Sequence, residues 1–138
     1  IGMQALMMEH SSYGRIFLRY EVYRYGYSAM AAVRYNIATY DLDIWDNTGA
    51  WHNIGNYQMA IGVGIAINMK FTFDALTRQY GKFWFGSEII ADLNGHYCQQ
   101  FGPSAGETNI LTFEYYNQTF GSLTIYLGDV IVTTSEVI

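Results

Sequence analysis

Residues 57 to 73 alternate without a break. Every odd position carries a large apolar or aromatic side chain: Tyr57, Met59, Ile61, Val63, Ile65, Ile67, Met69, Phe71 and Phe73. The even positions are small or polar: Gln58, Ala60, Gly62, Gly64, Ala66, Asn68, Lys70 and Thr72. Successive side chains of an extended chain point to opposite sides, so a period of two sorts these sets onto the two faces of a β-strand. At ~3.3 Å per residue such a run would span about 56 Å, far longer than an ordinary strand. It is therefore expected to bend near Gly62 and Gly64 or to project as an arm. The stripe Ala60, Gly62, Gly64 and Ala66 invites close approach by a second layer or by a ligand in a cavity.

Shorter alternating runs follow the same logic. Between Arg15 and Tyr25, Ile16, Leu18, Tyr20 and Val22 form an inward set, and Arg15, Phe17, Arg19, Glu21 and Tyr23 an outward one. Ala31, Val33, Tyr35 and Ile37 share a parity, although Ser28 before Ala29-Met30-Ala31-Ala32 also reads as a helix start. Phe83, Phe85, Ile89, Ala91 and Leu93 alternate as one strand, with a helix starting at Ser87 as the competing assignment. Asn94-Gly95 suits a type I′ hairpin turn, and Gly121-Ser122 between Phe120 and Leu123 suits type II′. The second turn predicts a register in which Phe113 faces Val130, Tyr115 faces Gly128 and Glu114 faces Asp129. Asp46-Asn47-Thr48-Gly49 reads as a tight turn with glycine in a left-handed position. Met3 to His10 reads as a short helical lead-in. The expected fold is all-β: a single-domain antiparallel barrel or two-sheet sandwich of about eight strands.

Composition sharpens this reading. The chain has 138 residues, 51% of them hydrophobic and only 14% charged, with 13 Tyr, 8 Phe and 3 Trp. Such a chain can bury a full core, is too short for two separate cores, and is not disordered. One domain over residues 1–138 is expected, with 1–12 as a lead-in or arm. The net charge of −5 opposes general nucleic-acid binding, which depends on Lys and Arg neutralising phosphates. Residues 1–40 are nevertheless net positive and the remainder net negative, a split that suits contacts between copies or pairing within the chain. No run is long and apolar enough for a membrane helix. The start Ile1-Gly2-Met3-Gln4 has neither an initiator Met nor a signal-peptide pattern, which favours a processed chain and an exported or virion-associated protein.

Candidate chemistry is sparse. Cys98 has no partner cysteine, and His10, His52 and His96 show no metal-ligand spacing. Asp41-Leu42-Asp43-Ile44-Trp45-Asp46-Asn47 groups carboxylates but places Trp45 where a calcium loop needs an oxygen ligand. His96 and Cys98 would share a strand face about 7 Å apart, without a third orienting group. Gly62-Val63-Gly64 lacks the rest of a phosphate loop. Arg15, Phe17, Arg19, Tyr23 and Tyr25 combine cations with aromatics, as subunit contacts and single-strand platforms do, and a subunit contact is the preferred reading. Asn117-Gln118-Thr119 matches a glycosylation acceptor. No cofactor or catalytic constellation is expected. The leading functional expectation is a non-enzymatic assembly subunit of a virion, tail or extracellular filament, joined to copies of itself by strand pairing and Tyr-rich contacts. A small barrel binding an apolar molecule through the Ala60–Ala66 stripe is the alternative, and a transmembrane β-barrel the third.

Overall fold

The computed structural model describes residues 2–8, 14–24, 26–58, 66–85, 88–102, 106–116 and 126–133. These residues form eleven strands and no helix: β1 (Gly2–Met8), β2 (Arg15–Arg24), β3 (Tyr27–Asn36), β4 (Asp41–Trp45), β5 (Trp51–Asn56), β6 (Ala66–Phe73), β7 (Tyr80–Phe85), β8 (Glu88–Asp92), β9 (Gln99–Phe101), β10 (Thr108–Tyr116) and β11 (Tyr126–Thr133). They pair into two antiparallel sheets. One has the order β11-β1-β6-β7-β8, and the other β10-β2-β3-β4-β5 with β9 added to β3. The sheets pack face to face as a sandwich, because each has one apolar face to bury.

Period-two alternation supplies those faces. Ile16, Leu18, Tyr20 and Val22 of β2 are buried, as are Ala29, Ala31, Val33 and Tyr35 of β3. The opposing sheet contributes Met69, Phe71 and Phe73 from β6, and Tyr80, Phe83 and Phe85 from β7. Rings meet across the interface: Tyr20 and Phe73 have centroids 6.0 Å apart, and Tyr35 and Phe85 5.4 Å apart, both tilted. Contacts of this kind add about 0.5–1.5 kcal/mol each beyond the area they bury.

One polar interaction crosses this apolar layer. The far edge of β3 pairs with β4 at Val33–Tyr35 and with β9 at Ser28–Met30, so that edge changes partner at Ala31 and Ala32. Tyr80 reaches over from the other sheet to this point. Its hydroxyl accepts the Ala32 N–H at 2.9 Å and donates to the Trp45 carbonyl at 2.8 Å, with the Ala32 carbonyl also within 3.1 Å. Backbone groups left without a ladder partner are thereby satisfied inside the core, where an orphaned one is costly.

Several sequence expectations change. Residues 2–8 are not helical: β1 lies between β11 and β6, so this stretch is a central strand and not a lead-in or arm. Residues 57 to 73 are not one strand. Tyr57 stays with the six-stranded sheet, its N–H bonded to the Tyr40 carbonyl and its carbonyl to the Tyr35 hydroxyl, whereas β6 belongs to the other sheet. Residues 83 to 93 split into β7 and β8, with Phe85 paired to Glu88, and neither strand is helical. Asn94-Gly95 does turn the chain, with Gly95 at φ 89° and the His96 N–H on the Leu93 carbonyl, but it joins no hairpin. Leu93, His96 and Cys98 all bond to the same neighbouring stretch, Arg78 to Gly81, so the turn is an excursion from one strand path. β10 runs along β2 over nine register pairs and β11 along β1, so Glu114 faces Phe17 and Phe113 faces Leu18. The Phe120–Leu123 turn lies outside the described residues, as do Ala60, Gly62 and Gly64 of the stripe. Segment 28–37 is strand through Asn36, and Asp46–Gly49 is the expected turn, with Gly49 at φ 80°.

The buried hydroxyls and thiol are open to direct tests. Tyr80→Phe keeps the ring and removes its bridge, and is expected to cost about 1–3 kcal/mol in urea unfolding; a loss under about 0.5 kcal/mol would contradict the role given to the hydroxyl. Burial raises the Tyr35 and Tyr80 hydroxyls above their ordinary 10.0, and the Cys98 thiol from 9.0 to about 12. Unfolding releases these protons more readily, so the stability linked to these groups is complete below pH 9 and declines as pH rises through the higher folded values. Alkaline titration should accordingly show the last, buried fraction of tyrosinate appearing together with loss of near-UV dichroism, and Cys98 should resist thiol reagents at about pH 8 until denaturant is added.

Candidate binding cleft

The outward face of the six-stranded sheet is organised in rows by its register. Glu114 lies opposite Phe17, Phe17 opposite Arg34, Arg34 opposite Asp43, and Asp43 opposite Asn53. In the adjacent row Thr112 lies opposite Arg19 and Arg19 opposite Ala32, and beyond β3 Trp45 lies opposite Trp51. Ala32 is the small residue in the middle of this row, so the larger groups on either side leave a depression over β3. The result is a cleft of about 200 Å³, with Met30 and Ala32 as its floor and Phe17, Arg19, Trp45, Trp51, Thr112 and Glu114 as its walls.

The aromatic wall is held firmly. Trp45 and Trp51 meet edge to face with centroids 5.2 Å apart, and Phe17 meets Trp51 at 5.8 Å. The Trp45 indole N–H donates to Gln99 Oε1 at 2.6 Å. Gln99 in turn packs against Gly49, where a Cβ would stand 2.8 Å from its Nε2. From the core side, Tyr80 holds the Trp45 carbonyl. The Arg34 guanidinium stacks 4.3 Å from the centre of the Trp51 ring. Its Nε and Nη2 both contact Asp43 Oδ2, at 2.8 and 2.6 Å, and Asn53 Nδ2 donates to Asp43 Oδ1 at 2.9 Å. Held by Asp43 and stacked on the indole, this cation serves to orient Trp51.

The opposite wall is polar and less committed. Arg19 Nη2 donates to Thr112 Oγ1 at 3.3 Å. Arg19 Nε lies 3.2 Å from Glu21 Oε1, close enough for an ion pair but without hydrogen-bond alignment. With Arg19 well exposed, such a pair contributes at most about 1 kcal/mol. Tyr23 donates to Glu21 Oε2 at 2.6 Å, a bond that pushes the Tyr23 hydroxyl above its ordinary pKa. Glu114 is exposed and makes no ion pair or hydrogen bond among the described residues.

Of the residues singled out from sequence, Phe17 and Arg19 line the cleft. Tyr23 stands on the same face, stacked on Phe101 with centroids 6.4 Å apart, and Arg15 lies at the end of β2 opposite Asn36 and Tyr116. Tyr25 lies outside the described residues. Ala66 opens β6, and nothing described connects it with the cleft. His96 and Cys98 do not meet as a reactive pair, because Cys98 is fully buried while the His96 ring packs on His52 at the rim. The Asp41–Asn47 carboxylates are dispersed: Asp43 holds Arg34, and Asp46 accepts from Thr48 and Ala50 within its own turn. No three His, Cys, Asp or Glu side chains converge as metal ligands among the described residues.

Sequence reading missed Trp45, Trp51, Thr112 and Glu114. A signal for the tryptophans was present: they flank the Asp46–Ala50 turn symmetrically, which makes them cross-strand partners on one face. Thr112 and Glu114 depend on pairing between distant strands, which no local pattern reveals. Comparison with protein-family models, curated proteins and solved structures gives no significant match.

Gly49→Ala tests how the aromatic wall is fixed. The added methyl meets Gln99 at a backbone angle that disfavours any side chain. It should destabilise the protein by about 1 kcal/mol or more and alter tryptophan fluorescence as the Trp45–Gln99 bond is lost. Unchanged stability and emission would contradict this arrangement.

Proposed function

We propose that this protein is a non-enzymatic binding module that holds one ring of a neutral, polyhydroxylated ligand, a sugar unit, in the outer cleft. The observation that carries this reading is the pairing of a fixed two-indole wall with a wall that offers both a strong donor, Arg19, and an acceptor, Glu114, that is unengaged among the described residues. Vicinal hydroxyls donate and accept together, and the C–H faces of a sugar ring suit aromatic surfaces. Charge argues in the same direction. Arg34 and Arg19 each lie beside a carboxylate and Glu114 adds another negative charge, which disfavours anions. Two guanidinium groups on the same face, one already stacked on Trp51, disfavour a cationic ligand. The size fits a single ring, since pockets for drug-sized ligands run from about 300 to 1,000 Å³.

The assembly reading has its own support. β10 is an edge strand paired only with β2 among the described residues, and it exposes Ile110, Leu111 and Tyr116. Edges with exposed apolar side chains are sites of strand addition. Part of the aromatic abundance is used between the sheets, where Tyr20, Tyr35 and Tyr80 are buried, and Phe17 and Arg19 of the expected contact face line the cleft. The cleft is therefore the preferred reading.

Calorimetric titration with neutral and uronic-acid oligosaccharides tests it. Neutral chains should bind, and Trp51→Ala should cost about 2 kcal/mol, roughly 30-fold in affinity. Glu114→Gln, at an exposed site, should weaken binding while leaving the fold intact. Preference for the acidic chains, or unaltered affinity in both variants, would refute the proposal. Light scattering that shows only monomer at high concentration would refute the assembly reading.

A further inference from the structure

His52 and His96 lie far apart in the chain, yet their ring centroids are 5.3 Å apart with 42° between the planes. Each is carried by fixed backbone. His52 sits in β5 opposite the fully buried Ile44. His96 uses both backbone groups, donating to the Leu93 carbonyl at 3.1 Å and accepting the Tyr80 N–H at 2.9 Å, just after the positive-φ Gly95. Neither imidazole makes a hydrogen bond or ion pair among the described residues, so their ring nitrogens remain available.

We propose that this pair is a two-imidazole clamp for a borderline divalent cation of the zinc, nickel and copper class. Imidazole is a ligand of choice for these ions. At a metal–nitrogen distance of ~2.0–2.1 Å, two ring centroids on a tetrahedral ion stand about 5 Å apart, which matches the observed spacing. Asp46 lies near enough to His52 for the two to interact electrostatically, and its carboxylate adds attraction for a cation. Because no third protein ligand converges among the described residues, water fills the remaining positions at this open rim. The ion would join β5 of the six-stranded sheet to the strand path beside β7 of the other, so binding energy becomes folding stability.

Calorimetric titration of the metal-stripped full chain with zinc chloride should show one site and a rise in thermal midpoint. His52→Gln and His96→Gln should each abolish both effects, whereas His10→Gln should abolish neither. In the unmodified protein, zinc should shift the ring resonances of His52 and His96 together, a readout independent of how the variants fold. Absence of saturable binding at millimolar zinc, or zinc-induced shifts confined to other side chains, would overturn the proposal, as would binding that persists in both variants.

Discussion

The hydroxyl of Tyr80 is the constraint on which the outer face depends. β3 is the central strand of its sheet, and its far edge cannot stay with a single neighbour, because β4 ends at Trp45 and β9 covers only Ser28–Met30. An apolar side chain at position 80 would leave the Ala32 N–H and the Trp45 carbonyl facing hydrocarbon. The phenol fills the gap from below, and Gln99 spans it above through the Trp45 indole. One tryptophan is thus gripped by its carbonyl in the core and by its ring nitrogen on the surface. Core packing and the shape of the cleft are set by the same few groups, which is how a sheet face becomes a rigid wall rather than a loose aromatic patch.

Much of the fold was legible in the sequence because burial on one face imposes a period of two. The inward set of β2 was read residue by residue, and Met69, Phe71 and Phe73 lie inward as the alternation of residues 57 to 73 requires. Boundaries and partners were less legible for an identifiable reason. Phe83, Phe85 and Ala91 are all buried because a register shift between Phe83 and Trp84 brings Ala91 opposite Phe83 after Phe85 has paired with Glu88, so the odd-position alternation ran through the reversal unbroken. Turn residues specify that the chain reverses, not which strand it joins, and so neither the excursion at Asn94-Gly95 nor the separation of β10 from β11 could be read locally. The cleft combines both cases. Phe17 and Arg19 came from one strand's pattern, whereas Thr112, Glu114 and the two tryptophans reach them only through ladders between distant segments.

The low charge and the aromatic excess have separate physical sources. Among the described residues, Tyr20, Tyr35, Phe71, Phe73, Tyr80, Phe83 and Phe85 fill the space between the sheets. Few charges remain, and those on the outer face are largely consumed in orienting one another: Arg34 with Asp43, Arg19 with Glu21. A face prepared in this way offers shape, ring surfaces and near-neutral polarity, the features on which the proposed neutral, hydroxyl-rich ligand rests.

The three tryptophans allow a direct test. Trp45 and Trp51 line the cleft, whereas Trp84 sits on the other sheet beneath Lys70. Titrating a neutral oligosaccharide while following the three indole N–H resonances should move those of Trp45 and Trp51 along one saturable curve and leave that of Trp84 in place. Movement of Trp84 alone, or saturable binding that leaves both cleft indoles unperturbed, would contradict the assignment of the outer face as the binding surface.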